Sequence, residues 1–258
     1  NEISVSGGSY TNAYGGHTDG TGTQKQDKND SYKNKITISG ASVAGTVYGG
    51  YTTAGTGTAT QNEVNVTGGS TVANVVGGSS AAGAASDNTI NLGAVTITGN
   101  VTGGEGTATN DNKVNVEGTT VNGVISGGNN ATSGNTLTVK GANTAGNLAG
   151  FQTLNFDTAT ANSTDPMLNL TTGVTTLDWN AINLTGKKTG RIVLLQNTAG
   201  GAGLSFGTTY TGLKTDADDT TEFNIDTDTH GSAAQQVISE SYQFKGVTSP
   251  VQIGTPAD

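Results

Sequence analysis

The chain has 258 residues, of which 41 are glycine, 32% are hydrophobic and only one each is Met or Trp; a compact globule of this length buries more large aliphatic side chains. It has no cysteine, which excludes disulfide staples, thiolate metal sites and a cysteine nucleophile. The net charge of −9, with 11 basic residues, excludes the basic stripe that nucleic acid requires and disfavours electrostatic docking on anionic membranes.

From the N-terminus, one template returns six times: Asn-x-Φ-x-Φ-x-Gly, then an apolar residue and in most copies Gly-Gly. Its copies begin at Asn1, Asn34, Asn62, Asn88, Asn112 and Asn135, at spacings of 33, 28, 26, 24 and 23 residues. With each Asn as position zero, positions two and four are Ile36/Ile38, Val64/Val66, Ile90/Leu92, Val114/Val116 and Leu137/Val139. On a strand of period two these share one face. Position six is Gly40, Gly68, Ala94, Gly118 and Gly141, small enough for a tight corner, and position thirteen is again apolar: Val47, Val75, Val101, Ile125 and Leu148. Two short strands around a corner, repeated with one apolar face each, predict one rung of a parallel β-helix, because a single rung cannot bury its inner face alone. The fold class is therefore all-β, a parallel β-solenoid. The recurring Asn is expected to face inward at a corner, where stacked side-chain amides bond along the axis and satisfy backbone groups that a bend leaves unpaired.

Between Gly-Gly and the next Asn lie inserts 17–33, 51–61, 79–87, 105–111 and 129–134, which shorten from 17 residues to 6. They are expected to leave the solenoid from one edge as a tapered ridge, and insertions on one face of a solenoid often bind. The candidate contacts are His17, Lys25, Lys28 and Lys33 in or beside the first insert, with Tyr48 and Tyr51 at the second. Polar, solvated loops of variable length are the structural alternative.

Past residue 150 the pattern changes, dividing the chain into Gly-rich repeats (1–150) and a more apolar continuation or cap (151–258). Phe151–Phe156, Met167–Leu170, Thr176–Leu184 and Arg191–Leu195 are predicted short strands, and Tyr242–Phe244 is a predicted last strand. Large apolar side chains there suit the closing of a solenoid end, which otherwise exposes unpaired strand edges.

The succession Leu148-Ala-Gly-Phe151-Gln-Thr-Leu-Asn-Phe156, then Leu168-Asn-Leu-Thr and Trp179-Asn-Ala-Ile-Asn-Leu-Thr185, resembles the passenger domains of bacterial autotransporter (type V secretion) adhesins. The resemblance covers about residues 34–195 and its motifs are architectural. It implies a right-handed β-helix displayed at a Gram-negative outer surface. Attachment to host cells, matrix or other bacteria would be its role, through a host or bacterial surface protein or glycan. Membrane attachment would come only through a C-terminal barrel that this chain lacks, and the chain's opening inside a repeat suggests an excised fragment.

Chemistry is sparse. A serine-protease passenger needs Gly-Asp-Ser-Gly with His and Asp partners; no Gly-Asp-Ser occurs, and His17 and His230 are the only histidines. Polysaccharide-cleaving β-helices use clustered carboxylates, often with Arg or Ca²⁺; the chain has one Arg, Arg191, and its repeats have few carboxylates. Asp226-Thr-Asp228-Thr-His230-Gly231 imitates half of a calcium loop, but Val237 stands where the closing acid belongs, so a solvated acidic turn is the favoured reading. No cofactor is expected. The leading expectation is a non-enzymatic adhesin fragment; the alternatives are a carbohydrate-binding or polysaccharide-cleaving β-helix, and a structural spacer.

Overall fold

The computed structural model describes residues 1–19, 30–53, 55–162, 165–172, 176–177, 181–186, 192–198, 205–206, 214–215, 221–229 and 236–244. The chain is an all-β parallel β-solenoid of about six turns. It divides into two compact units, residues 1–137 with 148–152, and residues 138–147 with 153–258.

In the first unit each turn contributes strands to two long faces. One face stacks β1 (Glu2–Ser6), β5 (Lys35–Ser39), β8 (Glu63–Thr67), β10 (Thr89–Gly93) and β13 (Lys113–Glu117), all parallel and in register, so that Ile36 lies beside Val64, then Ile90, then Val114. These residues and Ile38, Val66, Leu92 and Val116 are buried, as their shared parity requires. The other face stacks β2 (Ser9–Tyr10) and β3 (Ala13–Thr18) on β6 (Ser42–Thr52). There follow β9 (Thr71–Ser80), then β11 (Thr96–Ile97) with β12 (Val101–Glu105), then β14 (Thr120–Ser126). Val47, Val75, Val101 and Ile125 fill its inner side. So does a second column, Val43, Val72, Ile97 and Val121, which the template missed because Gly68-Gly69 adds a residue in one copy and moves Val72 out of step.

A third, short face joins the turns. β4 (Ser31–Tyr32) pairs with β7 (Ala59–Thr60), and the same line continues through the Ala59 N–H to the Ala84 carbonyl (2.9 Å) and the Ala85 N–H to the Ala108 carbonyl (2.9 Å).

The template Asn residues form the expected ladder. Asn34, Asn62, Asn88, Asn112 and Asn135 are buried. The side-chain amides of Asn1, Asn34, Asn62 and Asn88 each donate to the Oδ1 of the next Asn, at 2.8, 2.9, 3.1 and 3.2 Å. The same oxygens accept the backbone N–H groups of Asn34, Asn62 and Asn88, so each side chain serves as the peptide group that the corner lacks. Beyond it the Asn112 N–H donates to Asn135 Oδ1 and the Asn135 N–H to Gln152 Oε1, a longer amide that ends the series in this unit.

The corners also behave as their residues dictate. Position six is left-handed in every turn, with φ of 71° at Gly7, 62° at Gly40, 67° at Gly68, 52° at Ala94, 59° at Gly118 and 62° at Gly141. Ala94 alone carries a Cβ there, and such a backbone costs an L-residue about 1–2 kcal/mol. Ala94→Gly should therefore raise the unfolding free energy by about 0.5–1 kcal/mol, after the added freedom of the unfolded chain is subtracted. Denaturant melts of the two proteins check this.

The sequence sets the inserts to begin directly after Gly-Gly; this holds at Gly127-Gly128, just past the end of β14, but the other four pairs lie inside strands. Gly49-Gly50 and Gly77-Gly78 lie inside β6 and β9, and Gly103-Gly104 inside β12. The strand runs on through them to Thr52, Ser80 and Glu105, so the inserts begin two residues or less beyond where the glycines suggest. Their smallness serves packing: a Cβ on Gly50 would collide with the amide of Asn62 and with Ser31 Oγ (2.7 Å). The inserts include this third face, and among the described residues the extra length of insert 51–61 lies between β6 and β7.

In the second unit, β15 (Thr136–Lys140) contributes Val139 and β16 (Asn143–Ala149) contributes Ala145 to the buried interior. β17 (Thr153–Asp157) pairs with β20 (Ile182–Thr185), β16 with β18 (Leu168–Leu170) and then β21 (Ile192–Asn197), and β19 (Thr176–Leu177) with β22 (Ser205–Phe206), all parallel. Larger side chains fill it, among them Phe156, Met167, Leu168, Leu170 and Leu194, in agreement with the apolar shift of the sequence. The pattern then changes: β25 (Gln236–Phe244) runs antiparallel to β21 and to β24 (Thr221–Thr229), and β23 (Lys214–Thr215) runs antiparallel to β24. Trp179 lies outside the described residues.

Candidate functional site

Adjacent strands β3 and β6 carry the same sequence element, an aromatic ring on each side of a glycine pair: Tyr14-Gly-Gly-His17 and Tyr48-Gly-Gly-Tyr51. In-register parallel pairing sets Tyr14 against Tyr48 and His17 against Tyr51. Residues three apart on a regular strand face opposite ways, but here the two buried glycines absorb the extra residue and both rings emerge on the outer surface.

The result is a four-ring cluster. Tyr14 stacks on Tyr48 (centroids 5.2 Å apart, planes 7°) and on His17 (5.0 Å, 18°), forming the middle of a three-ring stack. Tyr51 lies across the stack, edge-on or tilted to His17 (5.1 Å), Tyr14 (5.6 Å) and Tyr48 (4.9 Å). Both arrangements are favourable for aromatic quadrupoles and contribute about 0.5–1.5 kcal/mol per pair beyond burial. The tyrosines are half-buried and His17 is exposed, so the cluster combines apolar ring surface with polar tips at the solvent boundary.

The same rows continue along the solenoid. Beyond Tyr48 comes Val76; beyond Tyr51 come Ser79 and Glu105, whose hydroxyl and carboxylate are hydrogen-bonded at 3.2 Å. Burial pushes the Tyr48 phenol above its ordinary pKa. A hydrogen bond with the Thr46 side chain opposes this, and the negative charge of Glu105 adds to it.

Of the sequence candidates, the structure brings together His17, Tyr48 and Tyr51, and adds Tyr14. Alignment of the first two copies on Gly-Gly instead of on Asn puts Tyr14 directly under Tyr48, a signal obscured because the first copy is one residue short. Lys33 does not join the rings. It occupies the left-handed position before Asn34 (φ 51°), and its Nζ lies 4.9 Å over the Tyr32 ring. Four other turns use the same backbone at that place, at Gln61, Asp87, Asp111 and Gly134, so Lys33 has a corner role whatever its charge does. Lys25 and Lys28 lie outside the described residues.

Asp226 and Asp228 fall on β24, paired opposite Ser239 and Val237 in an extended antiparallel ladder, where the sequence suggested an acidic turn. Their neighbours Asp216, Asp218, Asp219 and His230 lie outside the described residues. Among the described residues no cluster of three His, Asp or Glu side chains is placed to hold a metal ion, and no helix is long and apolar enough to cross a membrane. A row of charge, Lys35 between Glu2 (3.7 Å) and Glu63 (3.9 Å), is solvent-facing and worth about 0–1 kcal/mol.

No protein-family model, curated protein or solved structure matches the chain.

Proposed function

We propose that this chain is a non-enzymatic attachment module, an adhesin passenger of the autotransporter kind, carried on a cell surface and recognising a host or bacterial surface molecule. The observation that carries the proposal is the outward ring cluster of Tyr14, His17, Tyr48 and Tyr51. Tyrosine side chains offer large, stiff contact area at low entropic cost, which is why aromatic anchors dominate recognition surfaces. The solenoid supports the reading as well, since its hydrogen-bonded turns form a rigid scaffold that holds such a cluster in fixed geometry.

The test is attachment of fluorescent particles coated with the chain to epithelial and bacterial cells. The double variant H17A/Y51A removes the two rings at the Tyr51 edge and leaves the Tyr14–Tyr48 stack. Loss of two anchoring rings is expected to weaken attachment by about tenfold or more, on the scale of about 2 kcal/mol for a single strong hot spot. Attachment unchanged by the double variant, with its melt intact, would instead favour a spacer role.

A second reading, glycan recognition, is favoured by the row Tyr51–Ser79–Glu105, which places a ring, a hydroxyl and a carboxylate in line. Sugars present apolar C–H faces edged by hydroxyls, and sites that hold them combine apolar rings with a few oriented polar groups. A glycan array paired with a reducing-sugar assay separates the two: a glycan-binding adhesin gives array signal and releases no product.

A further inference from the structure

We propose that Tyr14 and Tyr48 form a site of oxidative cross-linking, a dityrosine bond that staples the first turn of the solenoid to the second. The pair is set by the backbone: β3 and β6 are parallel and the two residues are direct register partners. Side chains from such partners rise in the same direction, and the two rings are within 7° of parallel with centroids 5.2 Å apart. The two phenols, one from each turn, are therefore held as near-parallel neighbours. Both rings are half-buried, so part of each is open to a one-electron oxidant. A chain without cysteine has no disulfide with which to tie its turns, and this pair is placed to serve the same end.

The chemistry needs hydrogen peroxide and a one-electron oxidant of the haem-peroxidase class. Each phenol gives up one electron and one proton, producing two tyrosyl radicals. These couple through one ortho carbon of each ring, forming a single C–C bond. Each new cyclohexadienone then moves its ortho hydrogen to oxygen and regains aromaticity. The two electrons and two protons reduce one peroxide to two waters, so the product is the protein less two hydrogens. Tyr51 is as close to Tyr48 (4.9 Å) but inclined by 58°, and it lies on the same strand, so a bond there would tie no two turns together.

The test is treatment of the purified chain with a peroxidase and hydrogen peroxide at low protein concentration, followed by dityrosine fluorescence, intact mass and peptide mapping. The expected result is a monomer lighter by two hydrogens, with the Tyr14 peptide joined to the Tyr48 peptide. Y14F and Y48F, which keep the ring stack, should each reduce the fluorescence to background, and Y51F should leave it unchanged. Amides of Ala13–Thr18 should exchange more slowly after linkage. A map that joins Tyr48 to Tyr51, or only intermolecular products through the exposed Tyr10 and Tyr32, would overturn the proposal.

Discussion

Asn88→Ala should lower the unfolding free energy by about 3–5 kcal/mol, a large share of the about 5–15 kcal/mol that holds an ordinary domain folded. Asn88 is fully buried. Its Oδ1 accepts from the Asn62 N–H (3.0 Å) and the Asn62 amide (3.1 Å), and its own amide donates to the Ala59 carbonyl (2.9 Å) and to Asn112 Oδ1 (3.2 Å). Alanine removes four bonds and strands the Asn62 N–H away from water. Each lost bond is worth about 0.5–1.5 kcal/mol and an orphaned buried donor about 1–3 kcal/mol. Asn91→Ala is the control: Asn91 sits in an outer amide row, between Asn65 (2.8 Å) and Asn115 (2.7 Å), and its truncation should cost under about 1 kcal/mol because solvent replaces those bonds. Asn88→Asp extends the test through pH. Burial raises a carboxyl above its unfolded pKa of about 3.9, so the variant's deficit should be smallest below that value and grow as pH rises through and beyond it. Chemical denaturation at several pH values reads all three outcomes.

Gly103→Ala should cost about 2–3 kcal/mol, although it adds only a methyl group. The new Cβ would overlap the backbone carbonyl oxygen of Gly127 and stand 2.7 Å from Asn112 Cβ. Neither neighbour is free to withdraw, since the Gly127 N–H is bonded to the Ala149 carbonyl (3.0 Å) and Asn112 belongs to the ladder. Gly93→Ala provides the contrast. Its Cβ would find only Thr67 Cγ2, at an ordinary 3.7 Å, so the substitution should be neutral or stabilising by about 0.4–1 kcal/mol. Melting curves of the two alanine variants, compared with the parent, check the pair; equal behaviour would show that the Gly-Gly positions are not packed as described.

The turns of this solenoid are legible in its sequence because the ladder leaves no latitude. An inward Asn that must meet another Asn one turn on fixes position zero, and the strand period then determines which aliphatic residues are buried. Two features were harder to read. Gly-Gly resembles a turn in sequence, whereas here it marks a close approach to the neighbouring turn, and both causes select the same residue. The column containing Val43 and Ile97 is masked in the sequence because Gly68-Gly69 shifts one copy by a residue, and a template of fixed spacing does not follow a local insertion. At the candidate site, His17, Tyr48 and Tyr51 stood out as aromatic residues beside the inserts. Tyr14 did not, since its partnership with Tyr48 depends on register between turns and not on its own neighbours. Lys33 has the charge of a contact residue, but its left-handed backbone gives it a corner position apart from the rings.

The tapered corner has a thermodynamic consequence. Each turn is fastened by its faces and its Asn, so lengthening an insert between the second face and the third adds chain between points that are already pinned. Closing such a loop costs entropy only logarithmically, about 0.6 kcal/mol for each doubling of length. The growth of the inserts from 6 residues to 17 is therefore cheap. The corner beside the aromatic cluster is thus a place where residues can be gained or exchanged almost without penalty to the fold, while a single methyl group two residues into the neighbouring strand is not tolerated.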